Sequence, residues 1–316
     1  MIIRLIERTA VLLVSLVVSS VLVFAFMAVL PGDPARVALG VNASEEAVAQ
    51  LREQFGLDRP LPTQYLDWLG GLLRGDFGIS YVSKAAIGPQ IIDRFQVTLW
   101  LVVAAMIIAL VIAVPAGTIM AARHRHMSGL LLSALSQVGV AVPAFLAGIL
   151  LITLFAVKLG WLPANGWTPP AEDPGMFLQQ LILPALALGL VQGAVLTRYV
   201  RSAVLEVLRE DYLRTARAKG LRPFPALWRH GLRNAAVPVV TVLGLQLATL
   251  LIGAVVVERV FVIPGLGSLL LDAVSNRDLL LVQDVVMVLV VAVLVVNFLV
   301  DLLYVALDPR LRVSSR

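Results

Sequence analysis

The chain is 316 residues long, 59% apolar and only 14% charged, with a mean hydropathy of +0.93. Soluble proteins carry about 25% charged residues, and a chain this size has too little interior to hide so much apolar surface; the composition argues against a soluble enzyme and excludes disorder. Cysteine is absent, so disulfides, thiolate metal sites and a cysteine nucleophile are excluded, and the net charge of +5 has meaning only through where its residues sit.

A membrane-spanning helix needs roughly 20 mostly apolar residues. The first such segment is 9–30, preceded by Arg4 and Arg8. It is too long for a cleavable signal and no A-x-A site ends it, so it reads as a retained first span. Pro31-Gly32-Asp33-Pro34 then stops the helix and opens a long connection, 31–95. Within it Ser44 is placed to cap a helix with Glu45 and Glu46 in the first turn. Val48, Leu51 and Phe55 follow at helical spacing, and Gly56 suits the break. A second helix starts at Pro62 and puts Tyr65, Leu66, Leu69, Leu72 and Leu73 on one side; Gly75-Asp76-Phe77-Gly78 is a turn. These helices either lie on the membrane surface or form a docking platform for an outside protein, and one surface can do both.

Five more apolar segments follow: 96–121, 130–157, 178–197, 235–257 and 284–307. All six are expected to be helices, because an open sheet edge cannot be satisfied in lipid. Pro115 and Gly117, Pro143 and Gly148, Pro184 and Gly189, and Gly244 and Gly253 interrupt them. Such residues suit closely packed helices, whether static or gated.

With a cytoplasmic N-terminus, 16 of the 25 Lys and Arg fall on the inside, nine of them between Arg198 and Arg233, while 14 of the 20 acids fall outside. Short-loop Lys/Arg bias sets orientation, so both termini are expected in the cytoplasm. Trp100 and Trp161 agree, falling at outer helix ends where aromatic rings settle. A tethered loop lacks the free groove-sized element a nucleic-acid site needs, so the basic excess records orientation. In the inner loop a helix can run to Lys219 and stop at Gly220 with cations at its C-terminal end, and Pro223 and Pro225 allow a second short helix to begin.

No G-x-x-x-x-G-K-[ST], H-E-x-x-H or G-x-S-x-G occurs, so nucleotide must bind a partner and no catalytic residue is assigned. The histidines are His124, His126 and His230; His124 and His126 share a short basic inner loop and lack the further ligands of a metal site. Gln137, Gln192, Gln246, Asn297 and Asp301 lie within apolar segments, where polar groups must face protein or water. Each either hydrogen-bonds between helices or lines a polar pathway. Gln192 and Gln246, deeper in the fourth and fifth helices, are the better lining candidates, and Asp301, nearer the cytoplasmic end, fits packing or coupling. Asn297, Asp301, Tyr304 and Asp308 share one helical stripe.

The residues in order carry a family likeness. They include Pro31-Gly32-Asp33-Pro34, Gly56-Leu57-Asp58 with Pro60, Gln64 and Tyr65, Gly75-Asp76-Phe77-Gly78 with Ser80, Val142-Pro143-Ala144-Phe145 and Gly160-Trp161-Leu162-Pro163. They continue with Asp211-Tyr212, then Thr215-Ala216-Arg217-Ala218-Lys219-Gly220, Arg229-His230 and Leu232-Arg233-Asn234, and end with Asn276-Arg277-Asp278, Asp301-Leu302-Leu303-Tyr304 and Asp308-Pro309-Arg310. In this order they closely resemble the inner-membrane permeases of bacterial ABC importers for dipeptides, oligopeptides and nickel, the first permease of the pair.

The resemblance implies an all-α, six-span polytopic protein of the type I importer permease fold. It implies the "EAA" loop within 211–234, whose coupling helix sits in a groove of an ATPase. Asp211, Arg214, Thr215, Ala216, Arg217, Lys219 and Gly220 are its expected coupling residues; Arg214 and Thr215 depart from Glu-Ala, as is usual in the peptide branch. Implied partners are a second homologous permease, two cytoplasmic ATPases carrying ATP and Mg2+, and an extracytoplasmic solute-binding protein. This chain itself binds no cofactor, metal or nucleic acid. The organisation is then 1–30, cytoplasmic N-terminus and first span; 31–95, external; and 96–316, a five-helix permease core with coupling loop 198–234. Nickel and glutathione are alternative substrates, worked like peptides by alternating access. An ion-driven carrier, the rival class, would show an internal repeat and more buried ionisable groups.

Overall fold

The computed structural model describes residues 2–30, 32–40, 43–124 and 126–307; Asp308, the last member of the polar stripe, lies outside them. Helices make up nearly all of the regular structure. They are α1 (Ile2–Val29), α2 (Pro34–Leu39), α3 (Glu45–Gln54), α4 (Leu61–Leu73), α5 (Ile87–Ala122), α6 (Met127–Ala141), α7 (Ala144–Leu151), α8 (Pro174–Val207), α9 (Asp211–Ala218), α10 (Pro223–Ala226), α11 (Leu232–Val260), α12 (Leu266–Ser275) and α13 (Leu279–Leu307). Among the described residues five helices are long and apolar enough to cross a membrane: α1, α5, α8, α11 and α13.

The third apolar segment is a sixth span only in broken form. α6 and α7 meet at a bend of 99°. Val142 is extended (φ −84°, ψ 120°) ahead of Pro143, the conformation to which a residue before proline is confined. α7 then widens into a π-helical turn over Ile152–Lys158. The second short helix expected at Pro223 does form, but it does not end: α10 passes through a π turn at Leu227–Gly231 directly into α11.

The chain divides by contacts into two compact units, along other lines than its topology: 1–8, 99–263 and 296–316 in one, 9–98 and 264–295 in the other. In the first, α8 is the hub, with α6, α7 and α11 packed on it. Small residues permit this closeness. A Cβ on Gly189 would lie 2.7 Å from Ile108 Cγ2 and 2.9 Å from the Ala105 carbonyl of α5, and one on Gly117 would lie 2.8 Å from the Thr197 carbonyl. Gly139 abuts Ala194, Gly148 the ring of Phe261, and Gly253 Leu188.

The second unit has its own apolar core, in which Met27, Ile87, Ile91, Leu266, Leu269 and Val285 are buried together. Its connecting segment follows sequence rules closely. Asp33 caps α2, accepting from the Ala35 amide at 3.0 Å, and Ser44 caps α3, accepting from the Ala47 amide at 3.3 Å. Gly56, Gly75 and Gly78 all have positive φ.

Candidate functional site

The loop expected to couple with an ATPase is built by helix-end chemistry. α8 ends at Val207, and α9 starts after Glu210, with Asp211 in the first turn where the helix dipole favours an acid. Arg214 reaches back to Asp211 at 3.1 Å, and the Thr215 hydroxyl donates to the Asp211 carbonyl at 3.0 Å. The helix closes on a Schellman motif. The Gly220 amide donates to the Arg217 carbonyl at 3.0 Å, and the Leu221 amide to that of Ala216 at 3.3 Å. Gly220 has φ +90°, a left-handed conformation that costs other residues about 1–2 kcal/mol.

One side chain anchors α9. Leu213 is fully buried, and a Cβ on Gly231 would lie 3.4 Å from its Cδ1, 3.1 Å from Val207 Cγ1 and 2.7 Å from Leu227 Cδ1. Glycine at 231 therefore leaves the slot that Leu213 fills. A second tie is the Asn234 amide donating to the Tyr212 hydroxyl at 2.9 Å. The remaining face is exposed: Asp211, Arg214, Thr215, Arg217 and Lys219 all point outward, as does Gly220, while Ala216 is half-buried. Leu213 is the residue sequence reasoning passed over; its signal was a lone leucine amid charges, flanked by apolar Val207 and Leu227. Such a helix can transmit a push, since it is short, closed at its C-terminal end and pinned to the end of α8 and the start of α11.

The polar residues within the spans do not form one group. Gln192 of α8 donates to Gln246 of α11, both buried. Gln137 is exposed on α6. Asn297 is half-buried, and its Oδ1 is 2.9 Å from where a Cβ on Gly244 would stand. Asp301 pairs with Arg8 at 2.7 Å, tying the end of α13 to the beginning of α1.

The second unit has polar contacts that no local pattern announces. Ser80 donates to the buried Asp278, which also accepts from the Tyr81 amide at 3.3 Å. Trp68 Nε1 donates to the buried Asp284 at 2.8 Å. Burial, then the nearby Asp284 and Asp278 carboxylates, push the Tyr81 phenol up to about 12. Burial alone would raise the Asp33 carboxyl, but the Arg52 guanidinium at 3.0 Å and the Ala35 and Arg36 amides together hold it below its usual range. Arg52 also pairs with Asp58 at 2.9 Å. Among the described residues no group of three or more His, Cys, Asp or Glu is placed to hold a metal ion.

Comparison with known proteins agrees with this architecture. Residues 113–313 match the family described as binding-protein-dependent transport system inner membrane component, and residues 1–102 match the N-terminal part of such membrane components. The chain is 41% identical over 310 residues to the glutathione transport system permease protein GsiC of Escherichia coli (strain K12), covering 97% of this chain and 98% of that protein. The same identity and coverage hold for the GsiC protein of Shigella flexneri serotype 5b. A solved structure of the MetNI methionine ABC transporter in an inward-facing conformation superposes with a TM-score of 0.59 at 19% identity, over 69% of this chain and 96% of that one; it bears on the fold alone. The relatives are transport permeases, not enzymes. The chain belongs to the binding-protein-dependent transport system inner membrane components and is the permease subunit of an ABC importer.

Proposed function

We propose that this chain, paired with a second permease, forms the membrane path by which short peptides of the glutathione kind enter the cell. The observation that carries the substrate class is the 41% identity to a glutathione permease along nearly the whole chain. Nickel is the narrower alternative, and the sequence motifs shared with peptide and nickel permeases favour neither by themselves.

The α9 loop faces the cytoplasm in this reading, because the short-loop Lys/Arg bias places it there; both termini share that side, and segment 31–95 leaves and rejoins the spans on the external side. Two ATPases bind ATP and Mg2+, and this chain binds neither. Their closure pushes on the exposed face of α9, where Arg214, Arg217 and Lys219 supply positive charge. Gly220 and the Schellman closure keep α9 short and stiff, so displacement passes to α8 and α11 as a rigid-body movement. The bundle then alternates its opening for solute delivered by an external binding protein. The Gln192–Gln246 contact holds α8 to α11, leaving Gln137 and Asn297 as the polar groups nearer an open path.

The test is ATP-driven uptake in proteoliposomes holding the complete importer, offered glutathione, a dipeptide, a longer peptide and nickel in turn. Saturable uptake of glutathione or another short peptide is expected; uptake of nickel alone overturns the substrate class. Reporters fused after Ser83 and after Arg222 should lie on opposite sides of the membrane, external and cytoplasmic respectively. Finding both on one side overturns the orientation.

A further inference from the structure

We infer that α4 is immersed in the lipid of the bilayer, with acyl chains covering its Leu61, Leu66 and Leu73 face, while α3, in the same connection, stands clear of it. The inference rests on the membrane location of the family and is independent of the substrate.

The depth comes from α1. Arg8 is at one end of its apolar run and the Gly32-Asp33 turn at the other. Residues 9–29 between them make about 31 Å of helix, which matches a hydrocarbon core of about 30 Å. α1 therefore has no spare length by which to rise out of the membrane. Its exposed residues Leu22, Phe26 and Val29 face lipid up to the boundary.

α4 packs well below that boundary. The Ser20 and Tyr65 hydroxyls hydrogen-bond at 2.9 Å, and Ser20 is about 13 Å along the helix from Val29. Since Ser20 already donates to the Val17 carbonyl, Tyr65 is the donor to it. The Phe24 ring, about 7 Å from the same end, contacts both Tyr65 and Trp68, with centroids 5.5 and 6.0 Å apart.

The chemistry of α4 suits that depth. Gln64, Tyr65, Asp67 and Trp68 find partners inside the protein, as a low-dielectric setting requires. Gln64 donates to the Leu57 and Arg59 carbonyls at 3.0 and 2.8 Å. Trp68 donates to Asp284. Asp67, the one charge on the helix, is 60% exposed and pairs at 2.9 Å with Arg59, equally exposed; the pair neutralises both charges, and the long Arg59 stem lets it lie on the side of α4 turned toward the surface. Apart from Thr63 in its first turn, what α4 leaves unpartnered is apolar: Leu61, Leu66 and Leu73 are 56%, 65% and 81% exposed. α3 has the opposite constitution, with Glu45, Glu46, Arg52 and Glu53 within ten residues.

The chain has no cysteine, so with partner subunits made cysteine-free single-site spin labels report these positions alone. Leu66→Cys and Leu73→Cys would be labelled in the complete importer in nanodiscs, with Leu22→Cys on α1 as the lipid reference and Glu53→Cys on α3 as the water reference. Both α4 labels should collide with oxygen several-fold more than with a nickel chelate, as at Leu22, with the ratio reversed at Glu53. Nickel-chelate access at Leu66 or Leu73 equal to that at Glu53 overturns the inference. So does shielding from both probes, which would mean that a protein, such as the second permease or the binding protein, covers this face.

Discussion

The α9 loop and the segment from 32 to 98 both interrupt the run of spans, yet they are fixed by opposite means. α9 is held by its own end chemistry, one buried leucine and one tyrosine hydroxyl, and it leaves its charges outside. The longer segment is held by side chains buried against distant sequence: Ser80 and the Tyr81 amide on Asp278, and Trp68 on Asp284. The element proposed to meet a moving partner is stiff in itself and lightly attached. The longer segment is built into its neighbours in sequence-distant parts of its own unit.

The largest departure should follow Gly220→Pro. Proline cannot take φ +90°, and it deletes the amide that donates to Arg217; the disruption costs roughly 3 kcal/mol or more in a helical setting. ATP-driven uptake should fall at least ten-fold while membrane yield stays normal, and charge reversal at Arg217 and Lys219 together should act likewise. Normal uptake in these variants would mean that α9 is not the coupling element.

Ser80→Ala tests the other side. It leaves a buried carboxylate oxygen of Asp278 without its donor, at a cost of about 1–3 kcal/mol. Hydrogen exchange should quicken across 76–86 and stay unchanged across 211–220. Equal loosening of both regions would break the contrast between them.

Acid should act on the segment selectively. The folded Asp33 carboxyl sits below its ordinary value of 3.8, so its contribution is present at neutral pH and is lost as pH falls through the folded value, below 3.8. Limited proteolysis with an acid-active protease should cut 32–58 faster at pH 3 than at pH 5, and Asp33→Asn should flatten that dependence. The smallest effect is expected from Arg214→Ala. Its pair with Asp211 is exposed, and exposed pairs of this spacing contribute little; the melting temperature should not move measurably, whatever happens to coupling.

Much of the fold was legible because lipid imposes a simple rule on sequence. Five spans appear close to their apolar runs, and the Ser44 cap, the Gly56 break and the proline start of α4 follow local chemistry. The failures have physical causes. The 130–157 run is apolar throughout, so hydropathy could not register that Val142, held extended by Pro143, turns the chain by 99°. α12 is only ten residues long and apolar, too short to read as a span. In the α9 loop, Gly220 and the charges are visible from helix-end rules, whereas the Leu213 slot needs Val207, Leu227 and Gly231 brought together in space. Gln192 and Gln246 stand out singly as polar residues, but nothing in a linear sequence says that they meet.

The ion pair of Arg8 with Asp301 has a consequence for how the protein is made. Its partners are 293 residues apart, so when the first span leaves the ribosome its arginine waits for Asp301 through nearly the whole of translation. The pair forms only once the last span has been released beside the first. It is a late closing step in biogenesis, and Asp301→Asn should leave early insertion intact while yielding a chain whose first helix is more readily extracted by membrane quality control.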